Sequence, residues 1–150
     1  KEIIFDSNLV AFEYAKHYIW MDVEMWTDFR TVASFHFLAA ALKRGIDTKL
    51  LTLDDLFLTD KEVMQKLQDS DDTRILKNLS YLVPQLQVET VSQQDAEIHS
   101  FAKVRFVDPK VLLEDGSLKR LSELYPEFLE KIEQHKQRIA GGIHLKVFVE

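Results

Sequence analysis

Residues Asn8 to Arg44 read NLVAFEYAKHYIWMDVEMWTDFRTVASFHFLAAALKR, and this stretch decides the fold. It holds no Pro or Gly, and its apolar residues recur at helical spacing. Phe12, Ala15, Ile19, Val23 and Trp26 form one stripe. Tyr14, Tyr18, Met21, Met25, Phe29 and Val32 form a second, so a helix here is buried on more than one side. Ser7 or Asn8 suits its start. Gly45, after Lys43 and Arg44, suits its stop, because the two cations favour the negative helix end. A helix of this length bends or breaks somewhere along its course.

Downstream, Thr59-Asp60-Lys61-Glu62 is a capping box, followed by the apolar face Val63, Met64 and Leu67. Ser70-Asp71-Asp72 opens another helix with Ile75, Leu76, Leu79 and Leu82 turned inward, and Pro84 ends it. Beyond Pro84 the period changes to two. Leu86 to Val91 and Ala102 to Val107 alternate as strands do. Lys110 to Leu113 and Leu118 to Leu121 flank Asp115-Gly116 as a hairpin. Ser122 caps a helix beginning near Pro126 and carrying Phe128, Leu129, Ile132 and Ile139. Gly141-Gly142 stops it, and Ile143, Leu145, Val147 and Val149 share one side of a last strand. Helices first, then a small antiparallel sheet with one or two helices, make an α+β fold, divided as a helical part, 1–83, and an α+β lobe, 84–150.

The 150 residues fit one domain or two small lobes. With no cysteine there is no disulfide, thiolate nucleophile or Cys-bound metal, which suits a cytoplasmic protein. The chain opens Lys1-Glu2-Ile3-Ile4-Phe5, without an initiator Met or signal peptide, and reads as a piece of something longer. Its longest strongly apolar run, Phe35 to Leu42, contains His36 and is far short of a membrane span. The formal charge is −6, and residues 1–102 carry 10 Lys or Arg against 17 Asp or Glu. Such a surface repels nucleic-acid phosphates, leaving room only for a local basic patch.

Two segments resemble the C-terminal half of bacterial HD-superfamily phosphohydrolases of the dNTP triphosphohydrolase type. In the first, Arg30-Thr31-Val32, the helix end Ala39 to Arg44, Leu53-Asp54-Asp55-Leu56 and Ser70-Asp71-Asp72 follow the family's order. In the second, Pro109 to Gly116, then Leu121-Ser122-Glu123, then Leu145 to Val149, are similar to its hairpin, helix start and last strand. The resemblance implies a metal site of a His, a His-Asp pair and a later Asp upstream of this region, in a catalytic HD domain that binds a divalent metal. This chain has no His-Asp pair, and the family's nucleotide-holding Arg, Tyr and His fall on Ile19, Thr27 and Phe29 in one register or His17, Met25 and Thr27 in another. The expectation is therefore a non-catalytic accessory and oligomerisation region of a nucleotide phosphohydrolase, with no catalytic residue or cofactor of its own. Its partners would be further copies, the HD domain and a nucleotide. The alternative is a standalone protein–protein interaction module.

Among the residues themselves, His17, His36, His99, His135 and His144 include no pair at the i, i+4 spacing of a helical zinc site. Glu24 and Asp28 share that spacing, but an ion pair with Lys or Arg is their commoner use. The runs at Asp54-Asp55 and Asp69 to Asp72 lack the calcium-loop order and suit helix starts. Lys103 and Arg105, two apart on an expected strand, and Lys146 on the last one, are the candidate phosphate or nucleotide ligands. Trp20 and Trp26 are the candidate interface anchors.

Overall fold

The computed structural model describes residues 3–149; Lys1, Glu2 and Glu150 lie outside the described residues. The fold is α+β, and the chain forms two compact units that interleave in sequence. Unit 1 is Lys1–Asp28 with His99–Ile143, and unit 2 is Phe29–Ile98 with His144–Glu150. These do not coincide with a division into 1–83 and 84–150.

In unit 1, strand β1 (Ile4–Phe5) runs parallel to β4 (Lys110–Leu112), which pairs antiparallel with β5 (Leu118–Arg120). The β4–β5 turn is closed by Gly116 at φ 81°, a conformation that favours Gly, and by Asp115, which accepts from the Ser117 N–H at 2.9 Å. Helix α1 (Asn8–Met21) is capped by Ser7. Helices α5 (Leu121–Leu124) and α6 (Pro126–Ile139) follow the hairpin, α6 with its Pro at the first turn. Ser122 lies inside α5, and its N–H and hydroxyl both donate to Asp108, at 3.0 and 2.8 Å, so it is not the cap expected of it. Ala11 and Ala15 let α1 approach Val111, Leu121, Phe128 and Ile132, forming the core of the unit.

In unit 2, α2 (Phe29–Asp47), α3 (Asp60–Gln68) and α4 (Thr73–Ser80) enclose Ala41, Leu51, Val63, Leu67 and Ile75. The Thr59–Glu62 capping box is formed. Asp72, the last residue of the Ser70-Asp71-Asp72 run, caps α4 and receives Arg44 Nε at 2.8 Å. The sheet is β2 (Leu86–Thr90), β6 (Ile143–Val149) and β3 (Ile98–Ser100), with β6 central. The alternation in β6 buries Ile143, Leu145 and Val147 and turns Lys146 outward.

The long helix breaks, in keeping with its length: a π-helical turn, Asp22–Trp26, and Thr27 separate α1 from α2. The Asp22 carbonyl accepts both the Thr27 N–H, at 2.7 Å, and the Thr27 hydroxyl, at 2.6 Å, which closes the wider turn and removes that carbonyl from the α ladder. Gly45 does not end α2, which runs on to Asp47. Gly is present because a Cβ would meet Leu51 Cδ1 at 3.0 Å and Leu67 Cδ2 at 3.1 Å. Ala102 to Val107 alternates in exposure as expected but joins no strand. The Arg105 N–H donates to a side chain, Asp22, and Pro109 has no N–H to give. No helix among the described residues is long and apolar enough to cross a membrane.

Candidate functional site

The densest polar arrangement lies within unit 1. Asp22 is fully buried, and its carboxylate joins three segments. Oδ2 accepts the Arg105 backbone N–H at 3.0 Å and faces His135 Nε2 at 2.9 Å, while Oδ1 receives the Arg105 guanidinium at 3.4 Å. A carboxylate is an acceptor, so Nε2 carries the proton of that bond. The His135 side chain is only 2% exposed, and its other ring nitrogen, Nδ1, is buried without a partner. Beside this pair, Arg138 donates to the Thr27 hydroxyl at 2.7 Å and to the Thr27 carbonyl at 3.3 Å, fixing the end of the π turn to α6. A buried carboxylate needs such partners, since leaving it unpaired costs several kcal/mol.

Next to His135, α1 and α6 face each other across an open cleft of about 390 Å³. Helix α1 contributes Lys16, Ile19 and Trp20, the π turn after it Val23, and α6 contributes Lys131, Gln134, His135 and Arg138. Both rows have the i, i+3, i+4, i+7 spacing of one helix face. No carboxylate lines the cleft. Lys16 is bound to Glu13 at 2.7 Å, whereas among the described residues no ion pair forms at Lys131.

The residues expected to hold phosphate are not brought together. Arg105 is engaged by Asp22, by the Lys103 carbonyl at 3.3 Å and by the Trp26 ring, 5.7 Å from its guanidinium carbon. The strand that was to align Lys103 with Arg105 does not form. Lys146 belongs to unit 2, with its ammonium 5.7 Å from the Phe148 ring centroid. Trp26 is half-buried against Tyr18, ring centroids 5.4 Å apart, while Trp20 is 55% exposed at the cleft. Glu24 and Asp28 no longer share a helix face, because the chain breaks between them. His17 lies at the surface, where Nδ1 donates to the Glu13 carbonyl at 2.8 Å. Among the described residues no three of His, Asp and Glu converge as metal ligands.

Reading the sequence for ligands did not single out Asp22 and His135. A signal was there: His135 continues the buried row Phe128, Ile132, His135, Ile139, and Asp22 continues Ala11, Ala15 along α1. Polar residues at core positions of two helices are a cue for mutual pairing.

The chain is similar to the uncharacterized protein YdhJ of Bacillus subtilis (strain 168), with 31% identity over 118 residues. The match covers 77% of this chain and 35% of that protein, so the chain spans about a third of its relative's length. No family model and no solved structure matches.

Proposed function

We propose that this chain is the accessory, non-catalytic part of a larger HD-type phosphohydrolase acting on nucleotides in the cytoplasm, where it supports the catalytic domain and holds copies of the protein together. The phosphohydrolase part of the reading rests on the resemblance in sequence, and the observation that carries the contact role is an exposed apolar segment on unit 2. Leu53 is 67% exposed and Phe57 89%, with Leu56 and Leu58 beside them. Large apolar side chains clustered in this way mark contact surfaces. The use of Asp22 is in keeping with this, since its oxygens hold α1, α6 and the Arg105 segment together. The divalent metal of the proposed hydrolysis would be held by the HD domain.

The test is on the complete gene product. It should release phosphate products from dNTPs with manganese and run as an oligomer, and the present chain alone should do no hydrolysis. Exchanging Leu53 and Phe57 for Ser should lower the mass seen by light scattering while circular dichroism stays unchanged. Metal-dependent turnover by the isolated chain would overturn the reading. The same apolar segment also favours a standalone interaction module, which a complete gene product that associates but never hydrolyses nucleotides would establish instead.

A further inference from the structure

The α1–α6 cleft is not accounted for by an accessory role. One wall is apolar, made by Ile19 and Trp20 of α1 and Val23 of the π turn, and the α6 wall offers hydrogen bonds and positive charge from Lys131 and Gln134. Its volume of about 390 Å³ falls in the range of small-ligand sites, about 300–1,000 Å³. Walls of opposite character select a ligand with one apolar face and one charged end.

We propose that this cleft binds a small aromatic anion: a planar ring lying against Trp20, with a single phosphate or carboxylate held by Lys131 and Gln134. Trp20 is exposed at the cleft, and its indole supplies the broad apolar surface that a ring stacks on. At Lys131, where no ion pair forms among the described residues, the ammonium is available for a charge-assisted hydrogen bond. Lys16 contributes less, because Glu13 already neutralises it. Arg138 is tied to Thr27.

His135 is the independent observation. Nε2 is fixed on Asp22, and Nδ1 is buried in a wall of the cleft with no partner. An unsatisfied buried nitrogen is costly, and native structures retain few of them. With both ring nitrogens protonated, Nδ1–H donates to an anion; with one, Nδ1 accepts from a protonated phosphate. Nδ1 is shielded from solvent, so an anion in the cleft reaches it when the lining shifts.

The experiment titrates the whole chain with 1-naphthyl phosphate, 2-naphthoate and inorganic phosphate, following amide and indole N–H signals by NMR. At least one of the naphthyl compounds should bind at one site, shift the Trp20 indole signal and exceed inorganic phosphate by about tenfold or more, as an added ring contact requires. The better of the two identifies the head group. Trp20→Ala and Lys131→Ala, both at exposed positions, should each weaken binding about fivefold or more, and Lys119→Ala on β5 should leave it unchanged. Binding that survives both cleft variants intact, inorganic phosphate binding as well as the ring compounds, or no binding by any of the three would each overturn the proposal.

Discussion

Asp22 and His135 stand where α1 and α6 otherwise turn apolar side chains inward, and the fold is built around satisfying them. The Arg105 N–H, the Arg105 guanidinium and His135 Nε2 surround the carboxylate, so removing it strands an imidazole that is already one partner short. Asp22→Ala should therefore destabilise unit 1 by about 2–5 kcal/mol, because it leaves two donors, the His135 Nε2–H and the Arg105 N–H, without their acceptor. Urea unfolding with fixed slope measures it. A loss under about 1 kcal/mol would mean that water reaches the site and the pair is not buried in solution. The sequence carries both residues at core spacing on separate helices. It cannot show that they meet, since 113 residues separate them and only tertiary packing brings them together.

At the scale of elements, local chemistry was the most legible. The capping box, the Asp-Gly turn and the last strand form as their residues dictate, because each is fixed by neighbours within a few positions. The long helix shows where that stops. Its apolar rows run on through Asp22 to Trp26, yet the Thr27 hydroxyl and N–H take the Asp22 carbonyl and Arg138 holds the end. Gly45 misled in the opposite direction, since a Gly after two cations is good stop chemistry but here makes room for Leu51 and Leu67. Gly45→Ala gains about 1 kcal/mol of helix propensity. The added methyl would meet two fully buried leucines, and such overpacking costs about 1–3 kcal/mol. The net expectation is a destabilisation of about 1 kcal/mol in thermal or urea unfolding, and a more stable variant would show that the leucines can move aside. The turn leading to α3 adds a pH dependence. A hydrogen bond from Lys66, at 2.6 Å, and one from the Thr52 N–H hold the Asp55 carboxyl down at about 2 against an ordinary 3.8. A depressed carboxyl contributes stability above its unfolded value and loses it as pH falls through its folded one. That contribution should vanish between about pH 4 and pH 2. Lys66→Ala should move the Asp55 titration, read by carboxyl NMR, back toward 3.8. An unmoved titration would assign the shift to Thr52 alone.

For the whole molecule, composition points to a change of character near Pro84, while contacts join segments from both sides of it. Unit 1 takes α1 from the first part and β4, α5 and α6 from the second, and unit 2 completes its sheet with β2 and β6. Period and propensity report what each segment becomes, not which distant segment covers it, so this interleaving was beyond reach of the sequence. It has a consequence for fragments. Residues 84–150 alone keep Val111, Leu121, Phe128 and Ile132 but lose Ala11 and Ala15 that cover them, and His135 loses Asp22. Residues 1–83 keep the whole Ala41, Leu51, Val63, Leu67, Ile75 cluster but leave α1 without its packing partners. The 84–150 fragment should therefore show collapsed amide dispersion by NMR and no cooperative melt, whereas 1–83 should retain the α2–α4 helices with α1 disordered. Mixing the two should restore the dispersed spectrum, because the missing surfaces are then supplied in trans. Cooperative unfolding of 84–150 by itself would show that the α+β lobe is independent and that the Asp22–His135 pair is dispensable to it.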